Sequence, residues 1–258
     1  MATIDFSIQG SVATITLNRP AKFNAFNREM AIGLQERLDE CQQNSQIRCV
    51  CITGAGKAFS AGQDLDEVVD PNGPDTRTIL AEHYNPIILK IRALEKPVVA
   101  AVNGVAAGAG ANIALACDIV IASKSASFIQ AFSKIGLVPD SGGTFFLPRL
   151  IGWQKASALA MLGTKVSAEE AETLGMVYKV FDDEVFASEC EKLTANLADM
   201  PTKGLAYTKQ ALAASDSNTL EQQLKLEEEL QIKAGQTKDY NEGVQAFLEK
   251  RKPMFRGE

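Results

Sequence analysis

The sequence predicts an α/β fold, a spiral of strand–strand–helix units followed by a helical C-terminal part. Three observations carry this. Short apolar or alternating runs recur with amphipathic helical stretches through residues 1–130. A segment without charge, residues 97–118, passes from a buried strand through glycines into a helix. From Trp153 the pattern turns mostly helical, and Pro201 opens a run of three more helices. The chain has 258 residues, 46% hydrophobic and 22% charged, which is globular and long enough to bury a sizeable core.

Residues 4–8 and 12–17 alternate apolar and polar around Gln9-Gly10-Ser11 and read as a β-hairpin. Asn27 is placed to cap a helix over 27–44, with Met30, Leu34 and Leu38 on one face. A second buried strand covers 47–53. The loop from Gly54 to Leu65 holds three glycines and a lysine but lacks the Gly-Lys-Ser/Thr of a phosphate-binding P-loop. Residues 70–75 read as a surface loop. One helix is expected over 75–94, with His83 as an ordinary helix residue.

The uncharged segment comes next. Val98 to Val102 is a strand, Asn103-Gly104 ends it, and Gly108 and Gly110 lead into a helix over 109–117. A helix start presents free N–H groups at the positive end of its dipole, which suits an anion or a developing oxyanion. Small side chains let a ligand approach that backbone. A membrane span is disfavoured by the many Ala and Gly and by Asn103 and Asn112. A dinucleotide fingerprint lacks its third glycine and its acidic partner. On these residues alone, a tightly packed crossing without chemistry stays open.

Short strands follow at 119–122 and 126–130, then a loop over 134–144 and a helix from about Gly142. Asp140 lies among Leu137, Val138, Phe145 and Phe146. Apolar surroundings disfavour its charge and suit it to proton transfer near neutral pH; a helix-capping aspartate is the alternative. Helices are expected at 153–162, 167–174 and 184–198, with a strand at 177–181. The last three fall at 202–214, 218–234 and 238–250. Residues 1–200 therefore read as the core and 201–258 as a helical appendage.

The net charge of −6 argues against general nucleic-acid or membrane-surface binding. His83 is the sole histidine, so a Ser-His-Asp or Cys-His system and a multi-histidine metal site are not expected. The five cysteines, Cys41, Cys49, Cys51, Cys117 and Cys190, show no Cys-x-x-Cys spacing and read as packed, reduced thiols. The first residues carry no secretory pattern, so the expected location is cytoplasmic.

Several segments together resemble the crotonase superfamily, the enoyl-CoA hydratase/isomerase family. They are Leu17-Asn-Arg-Pro20, Asn24-Ala25, Gly54 to Leu65, Ala101-Val-Asn-Gly104 through Asp118, Pro139 to Leu150, and Glu242 to Arg251. The resemblance covers nearly the whole chain. It implies a spiral of ββα units, C-terminal helices that form a homotrimer or a dimer of trimers, and acyl-CoA thioester substrates. No cofactor is implied beyond the CoA that the substrate carries, and no metal.

By the same resemblance, the N–H groups of Gln63 and Ala109 bind the thioester oxygen. CoA contacts fall on Lys22, Phe23, Ala61, Asp64 and Leu65, and on Lys250; Gly108 belongs to the second oxyanion loop. Hydratases of the family use two glutamates, and at those places this chain has Asn112 and Phe132, which then line the acyl site. Asp140 matches the position where family isomerases hold their single acid. The resemblance therefore implies isomerisation, either of a 3-enoyl thioester or of the kind that turns a ring-epoxide thioester of phenylacetate into an oxepin. Hydration or hydrolysis, and a non-catalytic binding protein on the same fold, are the competing readings.

Overall fold

The computed structural model describes residues 2–258. The N-terminal hairpin pairs β1 (Ile4–Gln9) with β2 (Val12–Leu17) in antiparallel register, Ile4 opposite Leu17. A 3-10 turn at Pro20–Lys22 leads to α1 (Arg28–Gln43), whose Asn27 cap accepts from the Met30 N–H at 3.1 Å. Then come β3 (Cys49–Gly54), β4 (Ala58–Ser60) and α2 (Leu65–Val69).

The helix expected over 75–94 is not regular. A single turn, α3 (Thr76–Thr78), runs into a π-helical stretch (Ile79–Tyr84) and then α4 (Asn85–Ala93). Pro86 is the physical reason. It has no N–H for the Glu82 carbonyl, which instead accepts from Gln35 Nε2 at 2.7 Å. Gln35 also donates to the His83 carbonyl at 3.2 Å. His83 is buried at 1% exposure, its Nε2 3.2 Å from Arg28 Nη1, and burial lowers its pKa.

The central segment gives β5 (Val98–Val102), β6 (Val105–Ala107) and α5 (Ala109–Leu115). β7 (Ile119–Ser123) and β8 (Ser127–Ile129) follow. A 3-10 turn (Ala131–Ile135) occupies the approach to the expected loop, and α6 (Gly143–Ile151) and α7 (Trp153–Leu162) come after it. β9 (Lys165–Ser167), a strand too short to show alternation, precedes α8 (Ala168–Leu174) and β10 (Lys179–Phe181). The chain ends in α9 (Asp183–Asp199), α10 (Thr202–Ser215), α11 (Leu220–Gly235) and α12 (Lys238–Leu248).

Two sheets organise these elements. The larger has strand order β1-β2-β3-β5-β7-β10 and the smaller β4-β6-β8-β9. From β3 onward each turn of chain lays one strand in the large sheet, the next in the small sheet, and then a helix. Parallel pairing of β3 with β5 and β5 with β7, and of β4 with β6 and β6 with β8, repeats this step. Both faces of the large sheet are covered, so β5 is buried at every position. α5 is buried at all seven residues, which its uncharged sequence permits.

Asp118 ties the helical part to the core. It accepts from Lys209 Nζ at 2.8 Å, from Arg92 at 3.3 Å and from the Val98 N–H at 2.9 Å. Lys209 is nearly enclosed, and removing one partner of such a pair strands the other charge. Asp118→Ala is expected to lose about 3 kcal/mol in urea unfolding, whereas Lys192→Ala, in an exposed pair with Glu189, should lose about 0.5 kcal/mol or less.

Candidate active site

The site lies at the carboxyl ends of β4 and β6, paired strands of the small sheet, where two glycine loops meet. Gly62 has φ of +90°, and Gly108 has φ of +52°, backbone that favours glycine. A Cβ on Gly62 would stand 2.8 Å from the Ala107 carbonyl oxygen and 3.4 Å from the Ala109 nitrogen. The loops therefore need hydrogen at this contact. Gln63 is held on either side by bonds between Phe26 N–H and Gly62 C=O (2.7 Å) and between Asp64 N–H and Phe26 C=O (2.8 Å). Gly108 is fixed by its N–H to Ile129 C=O at 2.9 Å.

Between these anchors the N–H groups of Gln63 and Ala109 donate to no group among the described residues. Ala109 is the first residue of α5, so its N–H lies where the helix dipole is positive. Two unspent donors from adjoining loops are the arrangement that holding a developing oxyanion requires.

Asp140 is the carboxylate of this site. Burial raises its pKa above the ordinary carboxylate range, against the pull of Ser141, whose Oγ donates to it at 2.9 Å. The α6 cap is Gly142, without a side-chain cap bond, so the Asp140 carboxylate is not spent on the helix terminus. Ser141 is left-handed at φ +50° and buried, a strained turn that holds the loop.

A buried amide chain supports Asp140 from behind. Asn112 Nδ2 donates to the Asp140 carbonyl at 2.9 Å, and Gln130 Nε2 donates to Asn112 Oδ1 at 2.7 Å. The carbonyl can only accept, which fixes the orientation of both amides. A Cβ at Gly143 would fall 2.3 Å from Asn112 Nδ2, so only glycine lets α6 start this close. Asn112 thus meets Asp140 through its backbone. It is fully buried, with both amide groups engaged, behind the loop rather than on an open wall.

Tyr84 closes the other side. Its hydroxyl donates to Gln63 Oε1 at 2.9 Å, and Gln63 Nε2 donates to Glu67 Oε2 at 3.0 Å. The ring packs edge-on against Phe26 with centroids 5.9 Å apart. Burial pushes the Tyr84 pKa well up, and the negative charges of Asp140 and Glu67 add to the rise. Gln63, whose N–H is unspent, is therefore clamped by its own side chain. Sequence reasoning did not single out this clamp or Gln130. The available signals were the four-residue spacing from Gln63 to Glu67 and the Pro86 that distorts the helix at Tyr84. Tyr84→Phe should lower kcat by about three- to tenfold with little change in KM, the size of one lost hydrogen bond, as read from steady-state kinetics.

The remaining expected residues fall in two places. Phe132 is buried, its ring tip 3.8 Å from where a Gly108 Cβ would lie. Lys22, Phe23, Ala61 and Leu65 share an exposed rim beside Gln63, with Ala61 N–H on Phe23 C=O at 2.9 Å and Lys22 paired to Asp66. Asp64 is more enclosed, accepting from Arg19 Nη2 at 2.7 Å. Lys250 stands apart, just past the end of α12, bonded through its N–H to Phe247 C=O.

A mostly apolar cavity of about 340 Å³ opens beside the Asp140 loop, lined by Pro139, Leu137, Gly143, Leu147 and Trp153 among others. A larger cleft of about 790 Å³ lies between α10 and the starts of β3 and β5, and shares no residue with this site. Among the described residues, no group of three or more His, Cys, Asp or Glu could hold a metal ion, and no helix is long and apolar enough to cross a membrane.

The chain belongs to the enoyl-CoA hydratase/isomerase family, whose family model matches residues 7–258. It has the α/β crotonase fold of that family, and family membership makes it an enzyme of acyl-CoA thioester chemistry. A 1,2-epoxyphenylacetyl-CoA isomerase of Escherichia coli (strain K12) is 50% identical over 97% of both chains. A trans-2-decenoyl-[acyl-carrier-protein] isomerase of Streptococcus mutans is 37% identical over 98% of this chain and 97% of that one. The crystal structure of an enoyl-CoA hydratase from Bacillus anthracis superposes with a TM-score of 0.92 at 32% identity, covering 99% and 100% of the two chains.

Proposed function

We propose that this chain is an acyl-CoA isomerase acting on ring-1,2-epoxyphenylacetyl-CoA, on 3-enoyl-CoA, or on both. The observation that carries the reading is a single desolvated carboxylate, Asp140, beside two unspent N–H donors. Asn112 and Phe132 stand where hydration would call for acids. The other nearby carboxylates are engaged: both Glu67 oxygens accept hydrogen bonds, from Gln63 and from the Arg28 N–H, and Asp64 accepts from Arg19 and from the Asp66 N–H.

For the double-bond shift, Asp140 takes the proton from Cα of the thioester. Charge moves onto the thioester oxygen and is held by the Gln63 and Ala109 N–H groups. The same carboxyl group then returns the proton at Cγ. Nothing is added or removed, so one group serves as base and then acid. The apolar cavity beside Asp140 would take the acyl group, and the rim of Lys22, Phe23, Ala61, Asp64 and Leu65 the CoA. The 50% identity to the epoxyphenylacetyl-CoA isomerase supports the ring epoxide as one substrate.

We further propose a homotrimer, or a dimer of trimers, in the cytoplasm, with residues 201–258 as the assembling part. α10–α12 leave Leu212, Leu224, Ile232, Phe247 and Leu248 exposed, apolar side chains that a second copy would cover. Light scattering after size exclusion would measure the mass, and a monodisperse monomer would overturn this assignment.

The functional test offers the purified enzyme a 3-enoyl-CoA and the phenylacetyl-CoA ring epoxide. Isomerisation of either supports the reading. Stoichiometric water addition to a 2-enoyl-CoA would replace it with hydration. CoA binding without turnover of any of the three would make the protein a binding module.

A further inference from the structure

The second face of the large sheet is covered by α9, and the seam between them is rich in sulfur. Cys49 and Cys51 reach into it from β3, and Cys190 meets them from α9 among Phe186, Leu193 and Leu197. The sulfurs of Cys51 and Cys190 are 3.6 Å apart, although 139 positions separate them along the chain. Cys51 is only 3% exposed, whereas Cys190 is half-buried. One thiol of the pair is thus reachable from solvent and the other is held directly behind it.

We propose that Cys51 and Cys190 form a reversible intrachain disulfide when the folded protein meets a hydroperoxide. Cys190 reacts first because it is the accessible partner. Its thiolate attacks one peroxide oxygen, the O–O bond breaks, and the departing hydroxide takes up a proton and leaves as water. Cys190 is then a sulfenic acid. The Cys51 sulfur displaces the hydroxyl from it, an S–S bond forms as the S–O bond breaks, and the Cys51 proton leaves with that hydroxyl as a second water. Two thiols have lost two electrons, and hydrogen peroxide has been reduced to two waters.

The neighbourhood favours this order. The contact with Cys51 pulls the Cys190 thiol below its usual range, so more of it is thiolate. The same contact, with burial, holds Cys51 well above its own range, so it waits as a resolving thiol. The sulfurs have to close by about 1.5 Å to reach bonding distance. Cys41 and Cys117 lie in the other core cluster, away from this seam, and burial pushes the Cys41 thiol up to about 12. The bond would close the chain from residue 51 to residue 190, a segment that contains Gln63, Ala109 and Asp140. Cross-links of long segments stabilise by restricting the unfolded chain.

The inference is independent of the isomerase reading, and its test does not use activity. The folded wild type is treated with hydrogen peroxide and then unfolded without reductant. Free thiols are alkylated, and the protein is digested and weighed by mass spectrometry. The expected result is three alkylated cysteines of the five, a peptide pair joining Cys51 to Cys190, and recovery of all five with dithiothreitol. The melting temperature of the oxidised protein should rise by several degrees. Cys190→Ser and Cys51→Ser should abolish both effects, and Cys49→Ser should keep them. Five free thiols after peroxide, Cys190 oxidised to a sulfinic acid with Cys51 free, a Cys49–Cys190 link, or a bond between two chains would each overturn the proposal.

Discussion

Asp140→Asn is expected to fold, to bind acyl-CoA with nearly the wild-type KM, and to lose isomerisation by about 10²–10⁴-fold in kcat, the usual worth of a positioned acid/base. The amide keeps the shape of the side chain and can still accept from Ser141, so the loop has no cause to collapse. The pH dependence adds a second readout. A base must be ionised to work, and burial raises the Asp140 pKa. The acid limb of kcat/KM should therefore lie above the ordinary carboxylate range rather than within it.

Stability should move the opposite way. A carboxyl group whose folded pKa is raised stabilises the fold fully only below its unfolded pKa. That contribution is lost as pH rises through the folded value. At neutral pH the ionised, desolvated Asp140 is therefore a cost, and Asp140→Asn should melt higher than wild type. The gain should vanish in acid, below the ordinary carboxylate range, where both residues are neutral. Wild-type turnover in the variant would remove Asp140 from the mechanism, and equal melting temperatures at neutral pH would remove the claimed cost of burying its charge.

The second large effect is expected at Gly110. The oxyanion donors are backbone groups and cannot be deleted by a side-chain change, so they have to be displaced. A Cβ on Gly110 would fall 2.6 Å from Ser60 Cβ and Oγ, and 2.7 Å from the Ser60 carbonyl oxygen. Ser60 cannot yield alone, because its Oγ donates to Asn24 C=O at 2.8 Å and accepts from the Gly62 N–H at 3.2 Å. The push therefore reaches Gly62 and Gln63 on one side while α5, with Ala109, recoils on the other.

Gly110→Ala should cost about 1–3 kcal/mol by overpacking. It should also lower kcat by about 10²-fold, as displacements near 1 Å do at reacting centres. A 10²-fold loss is about 2.7 kcal/mol, the low end of the roughly 2.7–4 kcal/mol that one lost oxyanion donor is worth. Gly235→Ala is the control, since nothing lies within 4 Å of its added Cβ. It should leave kcat unchanged and stabilise α11 by about 0.5–1 kcal/mol. Equal kinetics for Gly110→Ala and wild type would show that the two loops do not depend on this contact.

Much of this is legible in the sequence. The strand through glycines into an uncharged helix placed Gly108 and Ala109 at a helix start because small residues and missing charges allow little else there. Asp140 among apolar neighbours implied a perturbed carboxylate, and the structure raises its pKa for that reason. The hairpin, the Asn27 cap and the three terminal helices followed from local pattern and cap chemistry, which act over a few residues. The helix expected over 75–94 runs from the Asp75 cap to the Leu94 cap, but its middle is π-helical where Pro86 has no N–H to give, and no period in the sequence reports that change of pitch. Asn112, expected on the wall of the acyl site, proved to be engaged behind the Asp140 loop.

The sequence by itself determined the α/β spiral and the glycine loops, since these rest on backbone preference and burial of side chains close along the chain. Only the tertiary structure decided which groups meet. Tyr84 reaches Gln63 across 21 positions, Gln130 reaches Asn112 across 18, and Cys190 reaches Cys51 across 139. The register between sheets and helices sets such distances, and that register is fixed by the packing of the whole core.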